Sequence, residues 1–219
     1  MSRVLVASRN AKKLNELRRI LADAGIAGIE IVGLDDVPPY PEAPETGATF
    51  EENALAKARD GAAATGLPCV ADDSGIAVDA LNGMPGVLSA RWAGGHGDDA
   101  ANNALLLAQL GDVPDERRGA QFVSTCALVV PGGEEIVVRG EWPGRVDRAP
   151  RGDGGFGYDP LFVPDGGEVS AAQLTPAEKD AVSHRGRALK QLLPALSALA
   201  LPAQTPNSCL TFCAFTCST

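Results

Sequence analysis

The sequence predicts an α/β fold built on a mixed sheet, and three observations carry that prediction. Short apolar runs alternate with helical periodicities through residue 75, a long hairpin pattern follows, and no Pro/Gly-rich linker separates independently folding blocks. With 219 residues, 45% of them hydrophobic, the chain has ample material for the core of one globular domain, with room for two lobes.

The elements follow in order. "RVLVAS" reads as a buried strand, and "NAKKLNELRRILADAG" as a helix whose Leu14, Leu17, Ile20 or Leu21 and Ala24 keep the 3-to-4 spacing, with Gly25 as its stop. "IEIVGL" is a second strand, and "DDVPPYPEAPETG" is too proline-rich to be anything but a surface loop. In "TFEENALAKARDGAAATG" a second helix begins, with Thr49 and Glu52 at capping-box spacing and Gly66 beyond its end. "PCVADD" is the third strand. After a helix around "DDAANNALLLAQLG", the runs "AQFVSTCALVV" and "EEIVVRGEW" pair across "PGG" as an antiparallel hairpin, so the sheet is mixed. A last helix starts at "LTPAEKDAVSHRGRALKQLLPAL", with Thr175 as cap, Pro176 in the first turn, Glu178 three residues after the cap, and Leu189, Leu192, Leu193 and Leu196 on its core face. The domain is expected to span residues 1–202. The segment 203–219 carries no charged side chain and holds Cys209, Cys213 and Cys217; three thiols are an incomplete zinc set, and a disordered or appended tail is the favoured reading.

Charge and composition exclude several classes. Nineteen basic against twenty-eight acidic side chains give a net charge of −9, a field that repels nucleic acid, so no nucleic-acid partner is expected. No apolar run reaches the roughly 20 residues of a membrane span, and the N-terminus lacks a secretory pattern. Cys69 and Cys126 lie in apolar strand-like runs, as buried thiols of a reducing compartment would. A cytoplasmic protein without a membrane partner is therefore expected. A small polyanion can still bind where the few basic groups and a divalent cation gather in one place.

Four short stretches could do that. "VADDSG" puts Asp72 and Asp73 side by side; neighbouring carboxylates repel unless a cation or solvent screens them, though Asp, Ser and Gly are also turn chemistry. "SRNAKK" places Lys12 and Lys13 at the positive end of a helix dipole, where cations need compensation. Helix-start N–H groups, the Ser8 hydroxyl, the Asn10 amide and the Lys13 ammonium could cradle phosphate there, or Asn10 could be an ordinary cap beside solvated lysines. No P-loop run is present. "GDGGFGYDP" surrounds Phe156 and Tyr158 with glycines, which brings backbone close to a flat ligand while an aromatic ring stacks on it. "EKDAVSHRG" offers Lys179, His184 and Arg185 for anion binding and for reading a polar ring edge.

Taken together, "SRNAKKLNEL", "ETGATFEENALAKA", "ADDSGIAVDAL", "PGVLSARWAG", "GGFGYDPLF" and "EKDAVSHRGRAL", in that order, resemble the inosine/xanthosine triphosphate pyrophosphatase family over about residues 3 to 200. Ser8-Arg9 stands where that family usually has Thr-Gly, which keeps the hydroxyl and replaces a small residue with a bulky one. The resemblance implies an elongated central sheet flanked by helices, two lobes with a cleft between them, and a homodimer. It implies a nucleoside triphosphate substrate (ITP, dITP or XTP), Mg²⁺ as cofactor, Asp73 as the catalytic carboxylate, and Glu45 with Asp73 at the metal. It further implies that Ser8, Arg9, Asn10, Ala11, Lys12 and Lys13 bind the triphosphate, that Ser74 touches substrate, that Phe156, Gly157, Tyr158 and Asp159 hold base and sugar, and that Lys179, His184 and Arg185 contact base and phosphates. Asp72 is a further candidate beside the metal. A pyrophosphatase for other modified nucleotides and a non-catalytic nucleotide-binding regulator are the alternatives; the acidic residues argue against the second.

Overall fold

A computed structural model describes residues 1–42 and 44–200; the expected tail lies outside them. Strand β1 (Ser2–Val6) leads into helix α1 (Ala11–Asp23), β2 (Ile29–Val32), α2 (Phe50–Thr65) and β3 (Cys69–Val78). Helix α3 (Asp99–Gln109), the hairpin strands β4 (Gly119–Val129) and β5 (Glu135–Val146), β6 (Phe162–Pro164), and helices α4 (Pro176–Val182) and α5 (His184–Ala200) complete the chain. One six-stranded sheet runs in the order β2-β1-β3-β4-β5-β6, parallel among β2, β1 and β3 and antiparallel from β3 onward. The mixed α/β class predicted above is the class observed. Among the described residues no helix is long and apolar enough to cross a membrane.

The core is divided, and the division places the site. At the β1–β2 end, Val4, Val70, Cys126 and Leu128 pack under α1 and α5 on one face, while Leu5, Cys69, Ala71 and Ala127 pack under α2 on the other. At the far end Ile76, Val78, Phe122, Trp142, Phe162 and Tyr158 pack with Leu106 and Leu110 at the end of α3. Between these cores the central strands are polar: Asp72, Asp73 and Ser74 on β3 lie opposite Cys126, Thr125 and Ser124 on β4. Two lobes thus meet at a waist of buried carboxylates and hydroxyls. Ordering such groups costs stability unless each is paired, so the waist is where partners must be sought.

Three elements differ from expectation. The third strand does not end at Asp73 but continues to Val78, because β4 pairs with it residue by residue along its whole length. It can pass Ser89 only because residue 75 is glycine, since a Cβ there would collide with the Ser89 hydroxyl and the Gly86 carbonyl. Strand β5 runs past Trp142 through Pro143, just short of the three residues that β6 covers, at an edge where a missing N–H costs no ladder bond. The expected single last helix breaks at Ser183, which is extended (ψ 159°), and restarts as its Oγ accepts from Gly186 N at 3.1 Å. That break turns His184 and Arg185 into the first residues of α5.

Candidate active site

Successive side chains of a strand point to opposite faces, and this separates the two acids. Asp72 faces α1 and α5, where its Oδ2 meets Lys13 Nζ at 2.7 Å and Arg185 Nε at 3.3 Å. Asp73 faces α2, accepting from Asn53 Nδ2 at 2.9 Å on Oδ2 and lying 3.4 Å from Lys57 Nζ on Oδ1. Each acid therefore has its own protein cation. Lys13, expected to need compensation, finds it in Asp72.

Arg185 is the hub of the first face. Its guanidinium also reaches Glu16 Oε2 at 3.2 Å and donates to Ser74 Oγ at 2.9 Å, and Ser74 in turn donates to Asp72 at 3.1 Å. Burial opposes ionisation of Asp72, but Lys13 and Arg185 outweigh it and hold its carboxyl well below the usual range. The same burial lowers Lys13. On the second face the balance reverses: burial, with Glu45 and Asp72 adding, pushes the Asp73 carboxyl above the usual range despite Lys57 and Asn53. The two adjacent carboxylates are thus moved in opposite directions, Asp72 downward by its cations and Asp73 upward by burial.

Glu45 approaches from the proline-rich loop. It receives Lys57 Nζ at 2.7 Å and Arg91 Nη1 at 3.1 Å, so one ammonium stands between Glu45 and Asp73. A pair of hard carboxylate donors that already converge on a cation suits Mg²⁺, which is commonly bound through one or two carboxylates plus substrate phosphates. Among the described residues no three His, Cys, Asp or Glu side chains form a closed metal cage.

The helix start and the glycine loop meet on the other side of the waist. Asn10 caps α1, its Oδ1 accepting from Lys12 N at 3.0 Å, and Ser8 Oγ accepts from Asn10 N at 3.1 Å, so both side-chain oxygens are engaged in shaping the turn that Ala11 closes. Lys12 Nζ donates to Gly155 O at 2.7 Å. Lys12, Lys179 and Arg185 all lie within 5.5 Å of the Phe156 ring centroid, gathering cations around one aromatic ring in a protein of net charge −9. Asp159 pairs with Lys179 and accepts from Phe156 N at 2.8 Å. Arg9 points away, to Glu42, beside a cavity of about 260 Å³ that Tyr40 also lines.

Two residues sit deeper than a ligand-facing role suggests. Tyr158 is 4% exposed in the far core and donates to Ser89 O at 2.8 Å. His184 stacks on Phe122 at 4.7 Å, and burial keeps its imidazole neutral; its Nδ1 has no hydrogen-bond partner among the described residues.

Against this geometry, the sequence profile of the Ham1 family matches residues 4–195. The chain belongs to the Ham1 family. A relative from Nocardia farcinica named dITP/XTP pyrophosphatase is 86% identical over 200 residues, covering 91% of this chain and 97% of its own. Another of that name from Mycobacterium tuberculosis is 71% identical, over 91% and 98%. Among solved structures, the nucleoside-triphosphatase / dITP/XTP pyrophosphatase of Mycobacterium abscessus is 70% identical (TM-score 0.73, covering 89% of this chain and 99% of that one). A HAM1 protein from Coxiella burnetii is 41% identical (TM-score 0.81, 90% and 100%).

Several residues of this Ham1 site escaped the sequence reading. Asn53 and Lys57 carry the Asp73 side, Arg91 holds Glu45, and Glu16 shares Arg185. A signal existed for the first two: the buried stripe of α2 is Phe50, Ala54, Ala58, Gly61 and Ala62, and Asn53 interrupts it with Lys57 one turn further on. Arg91 lies in a 3₁₀ segment (Gly86–Arg91) with no periodicity to mark it.

Proposed function

We propose that the protein hydrolyses deaminated purine nucleoside triphosphates (dITP, XTP and ITP) in a Mg²⁺-dependent reaction that yields the nucleoside monophosphate and pyrophosphate. That it is a hydrolase of this kind is supported by relatives up to 86% identical that carry the dITP/XTP pyrophosphatase name along nearly their full length. The observation that carries the reading is the placement of Asp72 and Asp73 on opposite faces of β3, Asp72 beside Lys13 and Arg185 and Asp73 sharing Lys57 with Glu45.

In this mechanism the triphosphate lies along the α1 start, with Lys12, Lys13, Lys179 and Arg185 balancing its charge, and the base rests by Phe156. Glu45 and Asp73 would hold Mg²⁺, which when bound would supply charge neutralisation at phosphate oxygens and a more acidic water. Asp73 Oδ1, the oxygen not tied to Asn53, takes the proton of the attacking water as the new O–P bond forms at the α-phosphorus. The bond from that phosphorus to the α–β bridging oxygen breaks, and pyrophosphate departs with the electron pair. Selectivity for a 6-oxo purine requires a donor at the ring oxygen, for which Arg185, His184 and backbone N–H groups of the 154–159 loop are the candidates, since a site built to pair is penalised when left unpaired.

The test is turnover of dITP, XTP, ITP, GTP and ATP with Mg²⁺ and with EDTA, identifying the phosphate released. Pyrophosphate from the first three, lost on chelation, is expected. Comparable kcat/KM for ATP, or release of orthophosphate, overturns the reading.

A further inference from the structure

Helix α3 takes no part in the site described so far, yet it holds the glycine loop by both polar groups of a single residue. Asp99 Oδ2 accepts from Gly157 N at 2.6 Å, and Asn103 Nδ2 donates to Gly157 O at 2.9 Å. Asp99 and Asn103 are four residues apart, on one face of the helix, which matches the span of one peptide unit's N–H and C=O. Gly157 has φ +62°, a left-handed conformation that other residues adopt at a cost, so a backbone grip here fixes a turn that only glycine takes freely.

We infer that Asp99 and Asn103 are positioning residues that set nucleotide affinity by holding Gly157, and through it the Phe156 ring, in register with the phosphate-binding cations. This rests on the activity proposed above. Besides Gly154 N on Ala172 O, the loop is anchored around Phe156 by Lys12 on Gly155 O, by Asp159 (paired with Lys179) on Phe156 N, and by α3 on Gly157. Lys12 and Lys179 are the cations an arriving polyanion recruits, so the Lys12 anchor and the pairing that supports Asp159 both loosen when substrate binds. The α3 anchor involves no such cation and persists.

Two further observations set α3 apart as a fixed reference. Asn102, the residue before Asn103, accepts from Ala93 N at 2.7 Å and donates to Ala90 O at 3.4 Å, tying the same helix to the segment that carries Arg91, the partner of Glu45. One helix thus sets the spacing between the Phe156 loop and the carboxylate side of the waist. Asn103 also has a buried Oδ1 with no donor among the described residues. An unmatched buried acceptor lowers stability, which makes this amide a poor choice for packing alone and points to its Gly157 bond.

The experiment compares Asp99→Ala, Asp99→Asn, Asn103→Ala and Asn103→Leu with wild type in steady-state kinetics on dITP, calorimetric binding of dITP in EDTA, and amide exchange across 150–160. Asp99→Ala and Asn103→Ala are expected to raise KM and Kd by about tenfold with kcat within about threefold, and to speed exchange at Gly157. Asp99→Asn keeps an acceptor and restores affinity to within about threefold. Asn103→Leu weakens binding without lowering Tm. Unchanged KM and Kd, or a loss confined to kcat and Tm, overturns the inference, as does a wild-type protein that binds no dITP. Wild type that binds dITP without releasing pyrophosphate refutes the activity, while Kd and exchange still decide the role of α3.

Discussion

Replacing Asn53 with alanine should move the acid limb of the pH–rate profile upward, and the structure fixes both sign and size. Asn53 donates to Asp73 Oδ2 at 2.9 Å from a 2% exposed position, so it stabilises the carboxylate over the acid. Hydrogen bonds to charged groups contribute about 1.5–3 kcal/mol. At about 1.36 kcal/mol per pKa unit, losing this one raises the Asp73 carboxyl by roughly one to two further units. The assay is kcat/KM for dITP across pH 5 to 9 at constant ionic strength, where that limb reports the free enzyme's base. Asn53→Asp keeps the acceptor that Gly47 N uses at 2.8 Å but replaces the donor with a like charge, and should shift the limb further. A limb that stays within about 0.3 of a unit in both variants would refute Asp73 as the titrating base.

Further outcomes follow from the other face of the strand and from the far core. Asp72→Asn strips the buried Lys13 and Arg185 of their shared anion and should cost about 3–5 kcal/mol in chemical denaturation. Because the folded Asp72 value lies below its ordinary 3.8, its contribution is full above that pH and is lost as pH falls; the wild-type decline in acid should flatten in the variant. Asp73 acts in the opposite sense, its folded value being raised, so its contribution is greatest at low pH and fades as pH rises through that value. Tyr158→Phe removes the bond to Ser89 O and should cost about 1 kcal/mol in stability while leaving KM for dITP unchanged; a raised KM would return Tyr158 to the base site.

Much of this was legible in the sequence because it depends on local pattern. Apolar periodicity placed the helices, Asn10 and Thr175 announced their caps, and Gly25 and Gly66 their ends. What stayed hidden depends on partners far away along the chain. The Asp-Asp pair read as the end of a strand because tolerance of two buried acids comes from Lys13, Arg185 and Lys57, which only the fold assembles. For Asp72 the fold supplies protein cations, Lys13 and Arg185, on its own face of the strand. Ser183 breaks the last helix through a bond to Gly186, a choice that helical periodicity does not register. Tyr158 read as a base-side residue among four glycines, yet its ring fills the far core, since a loop can turn one aromatic inward and leave Phe156, two residues before it, beside the cations.

The most direct measurement of the central claim is kcat for dITP in Asp73→Asn, taken at saturating substrate and Mg²⁺ with Tm recorded on the same preparation. A fall of about 10²-fold or more in a protein that remains folded is the predicted result. Turnover within tenfold of wild type would contradict it.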